Sequence, residues 1–151
     1  KYLDLIKYHK SIKVKTQDKI ENSVLPFVDM FISGKYRSKI GKGGYVSILK
    51  HKNYYKEFSK TFKFSSSLTV QQNGILDSLE KLKKKSKVNI YSTFDMSLNG
   101  VFMNSSKENE CFRSKMKDYT NNHEISFLKI EKLNTSIDFE ICEKRLLELL
   151  Q

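Results

Sequence analysis

A chain of 151 residues is long enough for one domain with a sizeable core, and 38% hydrophobic content excludes disorder throughout. The formal net charge is +11, almost all of it from lysine, with arginine only at Arg37, Arg113 and Arg145. That balance favours a polyanionic partner, nucleic acid or a nucleoprotein, over the bland alternative of lysine-rich coding bias, while scarce arginine argues against dense base-edge readout.

No apolar run is long enough for a membrane-spanning helix, and no membrane partner is expected. The first residues, Lys1-Tyr2-Leu3-Asp4, lack the apolar centre of a signal peptide, and a start without Met points to processing or to a piece of a longer protein. Cys111 and Cys142 lie far apart with no C-x-x-C, and His9, His51 and His123 have no metal-ligand spacing. Neither zinc nor any other cofactor is expected, and the default is a reducing intracellular compartment.

In chain order, residues 1–20 form a leading helix or arm, in which Leu3 and Ile6 share a face. A domain over 21–151 follows. Val24 to Ile32 is the first strand, dense in β-formers, with Pro26 marking an early or edge position. Residues 35–44 make a loop of glycine and cations: Lys35, Arg37, Lys39 and Lys42 are candidate contacts to backbone phosphates, and Tyr36 is a candidate for stacking on bases. The run is not a P-loop, because Gly41-Lys42-Gly43-Gly44 leads into a strand, not a helix. Tyr45 to His51 is the second strand. Tyr45, Tyr54 and Tyr55 are candidates for stacking on bases, the last two inside the basic patch Lys52-Asn53-Tyr54-Tyr55-Lys56.

Thr61 to Val70 reads as the third strand, through Phe62, Phe64 and Leu68. Asn73 to Ser86 reads as a helix with Ile75, Leu76, Leu79 and Leu82 on one stripe and lysines crowding its end. Lys87 to Leu98 alternates cleanly as a long strand, Asn99-Gly100 signals a hairpin, and Val101 to Asn104 is the returning arm. Residues 105–123 are polar and read as a loop pinned by Phe112 or Met116. Ile125 to Leu133 is the last strand, with a shift in its apolar set that suggests a bulge.

The chain closes on an amphipathic helix, 136–151. Thr135-Ser136-Ile137-Asp138 fits a capping box. Phe139, Cys142, Leu146 and Leu149 fall on one face, widened by Ile141, Leu147 and Leu150. Three strands, a helix, two strands and a helix predict a mainly β fold with helices: a five-stranded OB-fold barrel with a helix between strands three and four and a C-terminal amphipathic helix. A doubly wound sheet and an RRM fit this order less well.

With Ile125-Ser126-Phe127-Leu128-Lys129-Ile130-Glu131-Lys132-Leu133 followed by the helix Asp138 to Leu150, the chain resembles small OB-fold subunits of single-strand-binding assemblies. These are the smallest subunit of replication protein A and the Ten-one subunit of the telomeric CST complex. The resemblance implies a non-catalytic, telomerase-associated nuclear subunit at telomeres. It would dock to a larger OB-fold subunit through Phe139, Cys142, Leu146, Leu149 and Leu150 and bind single-stranded nucleic acid weakly alone. Two alternatives stand beside it. One is an autonomous single-stranded DNA- or RNA-binding protein, acting through the loop 35–44. The other is a metal-dependent nuclease, for which Asp29 and Asp95 lie on strands but no Glu-x-Lys or Asp-x-Lys occurs.

Overall fold

The structure, a computed structural model, describes residues 25–63, 65–93, 107–130 and 136–151. Its elements run β1 (Phe27–Arg37), β2 (Lys42–His51), β3 (Tyr54–Phe62), α1 (Ser67–Glu80), β4 (Lys87–Ser92), α2 (Lys107–Asn122), β5 (Glu124–Lys129) and α3 (Ile137–Leu149). The strands form one sheet in the order β3-β2-β1-β4-β5. Pairing of β1 with β2 and of β2 with β3 is antiparallel, whereas β1 with β4 and β4 with β5 are parallel. The expected OB barrel is therefore wrong: this is an open mixed sheet. Its parallel half explains the difference, since parallel neighbours need crossover connections, here supplied by helices.

Alternation along the strands divides the core into two layers. Val28, Met30 and Ile32 of β1, Tyr45 and Leu49 of β2, and Val88 and Ile90 of β4 meet Val70, Ile75 and Leu79 of α1 and Phe112 and Met116 of α2. On the other face, Phe31, Val46 and Ile48 meet Phe139, Cys142, Leu146 and Leu150 of α3. Helices on both faces cover the central strands, which is why β1 and β2 carry apolar residues on both sides. Close approach of α1 to the sheet requires glycine at Gly74, where a Cβ would lie 2.7 Å from Ile32 Cδ1 and 2.9 Å from Tyr45 Cγ.

Several element expectations change. β1 and β2 extend into the expected loop 35–44, leaving only residues 38–41 as the turn. The third strand ends at Phe62, and Ser67 to Val70, expected as strand, opens α1. Ser66 caps that helix by accepting from the Thr69 amide at 3.1 Å. Residues 105–123 hold the helix α2, and both expected pins, Phe112 and Met116, are buried in it. α3 starts as expected, with Ser136 as cap accepting from Phe139 N at 3.1 Å. Asp138 turns away from the cap to Lys50, 3.1 Å distant. The leading segment, the end of the fourth expected strand, the Asn99-Gly100 hairpin and the end of the fifth expected strand lie outside the described residues.

Candidate functional site

From β1 the chain moves outward through β2 to β3. It then crosses back along α1 to β4, on the other side of β1, and continues through α2 to β5. The direction of winding thus reverses between β1 and β4. In open α/β sheets the crevice outside the carboxyl ends of the strands at such a reversal is the usual ligand site. The β1–β4 register ends at Phe31 opposite Tyr91, and β1 continues beyond it as Ser33, Gly34 and Lys35, paired only with β2.

Gln71, in the first turns of α1, reaches into this gap. Its Nε2 donates to the Gly34 carbonyl at 3.0 Å, and its Oε1 accepts from the Ser92 hydroxyl at 2.6 Å. Gln71 is 1% exposed and Ser92 2%. Gly34 has to be glycine for this approach, because a Cβ would lie 2.7 Å from Gln71 Cγ and 3.3 Å from the Gln71 backbone nitrogen. Beside it, the Tyr36 amide donates to Ser67 Oγ at 2.9 Å, tying the end of β1 to the start of α1. Backbone amides at a helix start favour anions, so the crevice floor is neutral with a positive bias from α1.

The rim is basic. Lys35 and Arg37 end β1, Lys39 sits in the turn, Lys42 opens β2, and Lys60 and Lys63 come up with the end of β3. Neither 33–47 nor 59–76 contains an Asp or Glu. Carboxylates that pair with cations lie elsewhere: Lys50–Asp138 at 3.1 Å, Arg145–Glu57 at 3.4 Å and Lys87–Glu124 at 3.8 Å.

The chain is similar in structure to three solved ribonuclease H domains. The N-terminal RNase H domain of a Mycobacterium tuberculosis protein superposes with a TM-score of 0.67 at 9% identity, covering 83% of this chain and 99% of that one. RNase H1 of the halophilic archaeon Halobacterium salinarum gives 0.66 at 12% identity, covering 82% and 97%. An RNase H1 isolated from compost gives 0.67 at 12% identity, covering 83% and 96%. The fold is the ribonuclease H fold. No protein-family model matches the chain, and no curated relative matches it. The resemblance to OB-fold subunits of replication protein A and the CST complex is overturned, and the telomeric reading goes with it. The expectation that the chain is not an enzyme, which rests on the resemblance and on the lack of Glu-x-Lys or Asp-x-Lys, is corrected as well, because the fold is one shared with proteins named as ribonucleases.

Of the nucleic-acid candidates, the structure brings Lys35, Tyr36, Arg37, Lys39 and Lys42 together at the β1–β2 end beside the crevice. The other three are elsewhere. Tyr45 is buried under α1, its hydroxyl donating to Asp77 Oδ2 at 2.6 Å. Burial first, and then Asp77, push its pKa well above the ordinary phenol range. Tyr54 and Tyr55 start β3 at the opposite end of the sheet, next to His51. The partner-binding candidates Phe139, Cys142, Leu146 and Leu150 are buried against this chain's own sheet, and Leu149 is half-buried beside them. Burial also raises the Cys142 thiol pKa far above its ordinary value.

Sequence reasoning missed Gln71 and Ser92. Val70 ended an expected strand and Gln71 fell between it and the helix expected from Asn73, although Ser65-Ser66-Ser67 followed by Leu68, Ile75 and Leu79 carries a cap and a helical stripe. Metal-assisted phosphodiester hydrolysis needs clustered carboxylates. Among the described residues no group of three or more His, Cys, Asp or Glu lies together. Among the described residues the crevice offers an amide, a hydroxyl and a carbonyl, a set that does not fit a divalent cation. Of the two candidate carboxylates, Asp29 lies near the amino end of β1, accepting from Asn89 Nδ2 at 3.3 Å. Asp95 lies outside the described residues.

Proposed function

We propose that this chain is a ribonuclease H-fold domain that engages a nucleic-acid duplex containing an RNA strand. One observation carries the reading: a basic rim without carboxylates borders the switch-point crevice of a ribonuclease H fold. Lys35, Arg37, Lys39 and Lys42 take backbone phosphates, releasing counterions, and the start of α1 adds amide dipoles. Tyr36 stiffens the base of the turn from below, held by the core and by Ser67. The likeness to domains named as ribonucleases supports an RNA strand in that duplex.

Titration of a fluorescent RNA·DNA hybrid by anisotropy tests this, with duplex DNA of the same sequence as comparator. Tighter binding of the hybrid is expected, and equal affinity for both duplexes counts against the RNA-strand reading. The fold likeness itself favours a second reading, hydrolysis of the RNA strand. The same mixtures, resolved on a denaturing gel after incubation with magnesium or manganese, decide it: new RNA fragments assign hydrolysis, and an intact strand assigns binding.

A further inference from the structure

We propose that the crevice between β1 and β4 grips its polynucleotide without a divalent cation. The polynucleotide part deepens the function proposed above; the cation part stands on the crevice alone. Hard divalent cations require several oxygen ligands, with carboxylates supplying the charge that offsets dehydration. Here the oxygens are neutral and already engaged. The Gly34 carbonyl accepts Gln71 Nε2–H at 3.0 Å, and Gln71 Oε1 accepts the Ser92 hydroxyl at 2.6 Å. The Gln71 amide thus occupies the role a cation would play, placing positive N–H density on the carbonyl oxygen. Both side chains are almost wholly buried, so an ion entering would lose its water and gain no charged ligand among the described residues. Asp77, the first carboxylate along α1 after Gln71, lies roughly one and a half helical turns further on and accepts the Tyr45 hydroxyl at 2.6 Å. Lys35, next to Gly34 in sequence, adds repulsion. Neutralisation of phosphate therefore falls to the rim cations.

Manganese titration of the protein alone, followed by water-proton relaxation, reads this directly. Wild type is expected to show no site filled at micromolar manganese. The double variant Gln71→Glu/Ser92→Asp places two carboxylates where the hydrogen-bonded pair now sits, beside the Gly34 carbonyl. It is expected to bind manganese at least about tenfold more tightly than wild type and to gain thermal stability when manganese is added. A micromolar manganese site in wild type that Gln71→Leu removes overturns the proposal. So does a folded double variant that gains no manganese site, because charge would then not be what keeps cations out. Should the double variant fail to fold, hybrid affinity of wild type in EDTA and in magnesium at equal ionic strength decides. Agreement within about twofold is expected, and a loss of about tenfold in EDTA overturns it. If no hybrid binds in either buffer, the function proposed above fails, and the wild-type manganese titration still judges the cation claim.

Discussion

Gln71 joins three elements with one side chain: it arises from α1, donates to β1 and accepts from β4. Gln71→Ala leaves the Gly34 carbonyl and the Ser92 hydroxyl without these partners in a buried place, which costs roughly 2–4 kcal/mol; urea denaturation with an unchanged slope measures it. Gly74→Ala is expected to cost about 1–3 kcal/mol by overpacking, because the Tyr45 ring it meets is held by Asp77. His123 supplies a pH signature. Its Nδ1 accepts from the Ser86 amide at 3.1 Å, and burial first, then Lys85, lowers its pKa below 6.5. The unfolded chain therefore takes up the proton first as pH falls. Stability from His123 is fully present above about pH 6.5 and is lost progressively below it, down through the lower folded pKa. Thermal midpoints between pH 7 and 5 should fall for wild type and fall less steeply for His123→Gln. Of the crevice and its rim, sequence reasoning singled out only the rim residues Lys35, Tyr36, Arg37, Lys39 and Lys42. Gln71, Gly34 and Ser92 become a site through hydrogen bonds spanning more than twenty positions, and no local spacing encodes such a meeting.

Among the elements, the terminal helix was the most legible. Ser136 caps it as expected, and Ser136→Ala should cost about 1 kcal/mol in chemical denaturation. What its apolar face covers was not legible: an amphipathic stripe has the same spacing whether it meets its own sheet or another chain. Leu146 is 6% exposed against Phe31, Val46 and Ile48, so Leu146→Glu buries an unpaired charge and should unfold the domain. Loss of the cooperative thermal transition checks this, and a folded variant would contradict the packing described. Helix α2 was hidden by its polarity, yet Phe112, Met116 and Tyr119 recur at helical spacing inside it. The strand–strand–strand–helix–strand order is common to a barrel and to this sheet. What separates them is the parallel pairing of β1 with β4, a non-local choice of partner that strand patterns do not carry.

At the scale of the molecule, charge is divided by place. The outer surface of α3 carries Asp138, Glu140, Glu143 and Glu148 against Lys144 and Arg145, whereas the end bearing the crevice is wholly basic through 33–47 and 59–76. Such a distribution would steer a polyanion to one end of the sheet. The net charge raises the expectation of such a partner, and on the function proposed above it would meet the protein at this end. The central claim is tested most directly by the salt dependence of RNA·DNA hybrid binding, compared between wild type and Arg37→Gln/Lys39→Gln/Lys42→Gln. Neutralising these three cations should weaken binding and reduce the slope of log K against log salt by about 2–3. Unchanged affinity and slope in a folded triple variant would contradict the account, because the basic rim would then not be where the nucleic acid lies.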